Sequence, residues 1–106
     1  MNNEEAERLQ LTLFREAYLL MLKKRKDYSG DVDPFANLRT SRFIGIPPWQ
    51  GCMVRMMDKM SRVYQVMKRG GEMEVNEALY DTFIDILNYT CILAGLCAEE
   101  LDGQAK

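Results

Sequence analysis

The strong chain-breaking signals in these 106 residues fall in two places, and that placement sets the outline of the fold. All three prolines lie between positions 34 and 48, where Gly30, Asp33-Pro34, Gly45 and Pro47-Pro48 supply turn chemistry. The second break is the pair Gly70-Gly71. Proline inside a helix costs about 3 kcal/mol, and glycine readily takes the left-handed conformation that ends one. Elsewhere apolar residues recur at helical spacing, which predicts helices over about 3–25, 49–69 and 75–101.

Helix one has Asn3 as its expected N-cap, with Glu4, Glu5 and Glu7 at the positive end of the dipole and Lys23 to Lys26 at the negative end. The stretch from 27 to 48 is long for a connection, a length that favours function, with a helical turn expected around 34–39. The short glycine turn makes helices two and three an antiparallel hairpin. Helix one carries two apolar rows, one through Leu9, Leu13 and Ala17, the other through Leu11, Phe14 and Tyr18. That belt is wider than a hairpin can cover. The expected fold class is all-α: one domain over 1–106, an antiparallel helical bundle of three main helices with a long functional loop between the first two. Oligomerisation, as a dimer or larger, completes it.

Composition removes several chemistries. There is no histidine, so the commonest general base and zinc ligand are missing and Ser-His-Asp or Cys-His catalysis is excluded. Cys52, Cys91 and Cys97 form no CxxC pair; with no signal peptide and no long apolar span in the reading, a cytoplasmic protein without membrane contact is expected. The net charge of −2 conceals a segregation. Positions 1–69 hold 13 Lys or Arg against 8 acids, and positions 70–106 hold one Lys against 8 acids. Nucleic acid is an unexpected partner for so acidic a chain.

That segregation is sharpest on helix three. Glu74, Glu77, Asp81, Asp85 and Asn88 fall within about 80° of one helix face, with no base between Arg69 and Lys106. Stacked carboxylates repel by a few tenths of a kcal/mol per pair, so a cation from elsewhere should sit there. Helix two offers one source, a basic row of Arg55, Lys59, Arg62 and Arg69 opposite an apolar face of Met53, Met57, Met60, Val63, Tyr64 and Met67. A bound divalent ion is the other. Without histidine such an ion would be held by oxygen, as Mg²⁺ or Mn²⁺ is. Both sources stay open: interhelical neutralisation, or a metal on the acids with helix-two bases on phosphate.

The residues also carry a resemblance. Lys26-Asp27-Tyr28-Ser29-Gly30, Asp33-Pro34-Phe35-Ala36-Asn37-Leu38-Arg39, the segment from Val54 to Arg62, Asn76-Glu77, Asp81-Thr82 and Asp85 to Tyr89 resemble the nucleotide modification associated domain family, small proteins frequent in bacteriophages. The match runs from about 23 to 93. More distantly, the hairpin with its acidic strip resembles the MazG-like all-α nucleoside triphosphate pyrophosphohydrolases. That likeness implies a MazG-like helical domain, a homo-oligomer, a Mg²⁺ cofactor and hydrolysis of a nucleotide to monophosphate and pyrophosphate.

Carried onto this chain, it implies Glu77, Asp81, Asp85 and Asp58 as metal ligands, with Glu77 and Asp81 as the catalytic carboxylates. Arg39, Arg55, Lys59 and Arg62 would take phosphate. Tyr28, Asn37 and Asn88 would take the base, with Trp49 either stacking beside them or filling core. The chain departs from the MazG-like pattern in two respects. Helix two has no EExxE, Asp58 being its only acid, and Thr82 stands where the glutamate of a third-helix ExxD would be. The expected function is therefore metal-dependent nucleotide phosphohydrolysis, with non-catalytic capture of a nucleotide or nucleotide-derived signal as the alternative.

Overall fold

The computed structural model describes residues 1–26, 33–70 and 73–105, apart from the side chains of 73–78 and 105, and all the regular structure among them is helical. Helix α1 spans Asn3–Lys24, α2 spans Pro48–Lys68 and α3 spans Met73–Ala105; a 3-10 helix covers Ala36–Ile44.

The helix ends follow local chemistry, with small corrections. Asn2, not Asn3, caps α1: its side-chain oxygen accepts the Glu5 amide at 2.8 Å. Helix α2 begins on Pro48, at a position where the missing N–H removes no helical hydrogen bond. It stops before Gly70, whose φ of 86° is easy only for glycine. Helix α3 outruns the expected 75–101 at both ends.

The connection departs most from expectation, because nine of its residues form the 3-10 helix. Asp33 starts it by accepting the Phe35 amide on a side-chain oxygen at 3.0 Å, and Gly45 closes it at φ 77°. Ser41 ties its end down by donating to the Ile46 carbonyl at 2.8 Å.

Helix α3 is the axis of the molecule. Both α1 and α2 pack along it, and the 3-10 helix packs on α2. Helices α2 and α3 run antiparallel, since Cys52 reaches the Tyr89 carbonyl while Lys59, further along α2, reaches back to Asp85. Leu38, Cys52 and Leu96 are buried at the centre of the core, with Phe35, Trp49, Met56, Tyr89, Ile92 and Leu93 around them. Trp49 therefore fills core. Gly95 is where the connection docks: a Cβ there would lie 2.6 Å from Cζ of Phe35, so only glycine admits the ring.

The face of α2 that meets α3 carries Cys52, Met56, Lys59 and Val66, whereas Met53, Met57, Met60, Tyr64 and Met67 are exposed. One expectation about apolar surface needs correcting: the stretch Leu79–Gln104 of α3 is long and apolar enough to cross a membrane by length and composition alone, with mean hydropathy 1.3 and 17% of that stretch buried.

Candidate functional site

Asp85 lies near the middle of α3, facing both neighbouring helices, and each sends it a lysine. Lys59 Nζ on α2 is 3.0 Å from one carboxylate oxygen; Lys24 Nζ, in the last turn of α1, is 3.5 Å from the other. Asp85 and Lys59 are about four-fifths buried, whereas Lys24 is half exposed. The acidic stripe and the basic row thus meet at one point. Lys24 joins them, although the sequence placed it in a solvated helix end. Its part is legible only in three dimensions, where the end of α1 abuts the middle of α3.

One turn further along the same face, Asn88 buries its side-chain Nδ2 without a hydrogen-bond partner among the described residues. A buried amide donor left unpaired costs about 1–3 kcal/mol, so its retention asks for a reason. Beyond it Ile92 joins the core. One turn before Asp85, Asp81 is exposed. Thr82 and Ile84 are buried on the two flanks of this face.

The other expected site residues scatter. On α2, Arg55 and Arg62 are exposed; Arg55 donates to the Asn37 carbonyl at 3.5 Å, which holds the 3-10 helix near the basic row. The Asn37 side chain is exposed, as is Asp58. Among the described residues, Asp58, Asp81 and Asp85 do not gather into a three-ligand metal group. Tyr28 and the side chain of Glu77 lie outside the described residues.

Arg39, expected on phosphate, has its guanidinium bonded to two carboxylates. Nε and Nη2 bond Asp33 at 2.6 and 3.1 Å; Nη1 and Nη2 bond Glu99 at 2.9 and 3.2 Å. Hydrogen bonds from Arg39, then from the Phe35 amide, hold the Asp33 carboxyl below its ordinary 3.8. The two carboxylates in turn push the Arg39 guanidinium upward. Sequence reasoning missed this pairing because Glu99 is sixty positions away, on the face of the acidic stripe but three turns beyond its last member, Asn88. Burial pushes the Cys52 thiol up, which makes it a core side chain and not a nucleophile.

Chemically, the Asp85 cluster presents donors. Two ammonium groups share one carboxylate, with the exposed Asp81 one turn before it and, one turn after it, an amide N–H without a partner among the described residues. These donors are of the kind that an anion's oxygens accept from. Comparison of the chain with known protein families, with curated proteins and with solved structures finds no match.

Proposed function

We propose that this protein binds a phosphate-bearing nucleotide at the junction of its three helices and holds it there without turnover. One observation carries the reading: Lys24 and Lys59 converge from separate helices on the single carboxylate of Asp85, beside an amide donor at Asn88 that has no partner among the described residues. Lysines held as point charges at 3.0 and 3.5 Å exchange partners readily, and a phosphate can take one while Asp85 keeps the other. Arg55 and Arg62 extend the positive surface for further phosphates, and Asn88 offers its N–H to a base or sugar oxygen. The resemblance to the nucleotide modification associated domain family points to the same ligand class. On this reading the protein works in the cytoplasm, as a self-associated helical bundle.

A second reading, metal-dependent nucleotide phosphohydrolysis, has its own support. Asp81 and Asp85 stand one turn apart on one face, and Glu77 is one turn further back on the same helix. The described residues do not suit a protein-only metal cage, since Asp85 is shared with two lysines. They do suit a Mg²⁺ that arrives with its nucleotide, because that ion is commonly held by one or two carboxylates plus phosphate oxygens and water. Asp81 and Asp85 would hold it, with Glu77, and the ion would supply charge neutralisation at the phosphates. The lysines released from Asp85 would then contact those phosphates.

Calorimetry against a panel of nucleoside mono-, di- and triphosphates, with Mg²⁺ and then with chelator, tests both. Capture predicts binding that survives chelation, is lost in Lys59→Ala, and returns the ligand intact by phosphorus NMR. Mg²⁺-dependent release of phosphate or pyrophosphate, abolished by Asp81→Ala, would establish the second reading. Silence across the whole panel would remove both.

A further inference from the structure

The exposed side of α2 carries an order that the nucleotide site does not use. Met53, Met57, Met60, Tyr64 and Met67 follow one another at intervals of four, three, four and three, the spacing that keeps a seam facing a partner helix. They are 43, 66, 57, 62 and 64% exposed. The residues of α2 that pack on α3 sit about 100° around the helix from this seam, and Arg55, Arg62 and Arg69 lie diametrically opposite it. The seam is therefore a second, separate apolar face.

We infer that this seam pairs with the same seam of a second copy of the chain, the two α2 helices running antiparallel. The spacing is nearly symmetric about Met60, so antiparallel pairing sets Met60 against its own copy, Met53 against Met67 and Met57 against Tyr64, as a two-fold interface requires. Charge selects this direction over the parallel one. Lys68 and Arg69 end the helix, and parallel pairing would stack both basic ends together, whereas antiparallel pairing sends them to opposite ends. Of the positions flanking the seam, Val54, Met56, Ser61 and Val63 are uncharged, and the one charge is Lys68 at the helix end, whose Nζ lies 5.8 Å from the Tyr64 ring.

Area supports the same occupant. Covering the five side chains removes about 600 Å² from each copy, against the ~800 Å² each partner gives to a standard interface. Methionine suits such a contact because its unbranched side chain adapts to its two-fold-related neighbour. The apolar residues exposed on α1 form a different row. Leu11, Phe14 and Tyr18 keep a three-four spacing with Leu22 beyond them, Leu9 and Leu19 lie off it, and the row lacks the near-symmetry about one central residue that α2 has.

Sedimentation of the full chain at high micromolar concentration tests the inference, and its readout is mass, independent of any nucleotide. The wild type should run at twice the 12.3 kDa chain, and Met60→Glu should reduce it to one chain with helicity retained by circular dichroism. Arg62→Glu, on the opposite side of the same helix, should leave the dimer intact. In a chain with the exposed Cys91 replaced by serine, Met53→Cys should cross-link to Met67→Cys in a mixture and not to itself. A monomeric wild type overturns the proposal, as does a Met60→Glu dimer or dissociation by Phe14→Glu alone. Self-cross-linking of Met53→Cys would overturn the antiparallel assignment.

Discussion

Two ion clusters sit on α3 and are mirror images in charge. Towards its C-terminal end, one guanidinium lies between two carboxylates, Arg39 between Asp33 and Glu99. Near its middle, one carboxylate lies between two ammonium groups, Asp85 between Lys59 and Lys24. The first is made of paired, in-plane bonds that use both edges of the guanidinium, a geometry that fixes direction as well as distance. It clamps the 3-10 connection onto α3 beside the Phe35–Gly95 contact, directly over the core. The second consists of single contacts from flexible stems at the edge of the packed region, next to an amide that is not satisfied. A saturated cluster holds the chain together, whereas an unsaturated one has capacity left for a ligand.

The largest expected effect breaks the structural side of that contrast. Leu96 is buried against Leu38 and Cys52, and truncation to alanine should remove about 3 kcal/mol of unfolding free energy through lost burial and a residual cavity. Denaturant titration measures it. A loss below about 1 kcal/mol would mean the site can collapse, and that this end is not the rigid one.

On the ligand side, Lys59→Ala should weaken nucleotide binding at least tenfold, equivalent to about 1.4 kcal/mol. Its effect on stability should be smaller, because Lys24 still reaches the Asp85 carboxylate when Lys59 is gone. If the stability loss exceeds the affinity loss, the cluster is a brace like its counterpart.

Asn88→Leu separates the two roles at one position. Replacing an unpaired buried amide with an apolar side chain of similar shape should raise stability by about 1 kcal/mol while reducing nucleotide affinity. A destabilised variant would show that the amide is satisfied in solution and has no need of a ligand.

Much of this was legible in the sequence, for identifiable reasons. Prolines and glycines marked the helix boundaries because they act locally, and the acidic stripe and basic row were visible because helical periodicity is local too. That the basic row and the acidic stripe could meet followed from the hairpin, though not which pair would. What escaped depends on contacts between distant segments: Lys24 arriving from α1, Arg39 paired with Glu99, and Gly95 kept small by Phe35. The orientation of α2 escaped for a different reason. Its helix is apolar on two faces about 100° apart, and spacing alone does not say which one meets α3.

The smallest effect sharpens the contrast through pH. Asp33 has its carboxyl held below 3.8 by Arg39, so the folded chain binds this proton less readily than the unfolded chain. The stabilisation is accordingly complete above the ordinary carboxylate range and is lost as pH falls through the depressed folded value. Thermal unfolding followed from pH 7 downward should therefore show a component of stability lost below about pH 4 that is missing in Asp33→Asn. Nucleotide affinity of Asp33→Asn at neutral pH should match the wild type, because the brace holds the connection and does not touch the Asp85 cluster. A loss of affinity in that variant would show that the two ends of α3 are coupled, and the division between a saturated clamp and an open site would have to be given up.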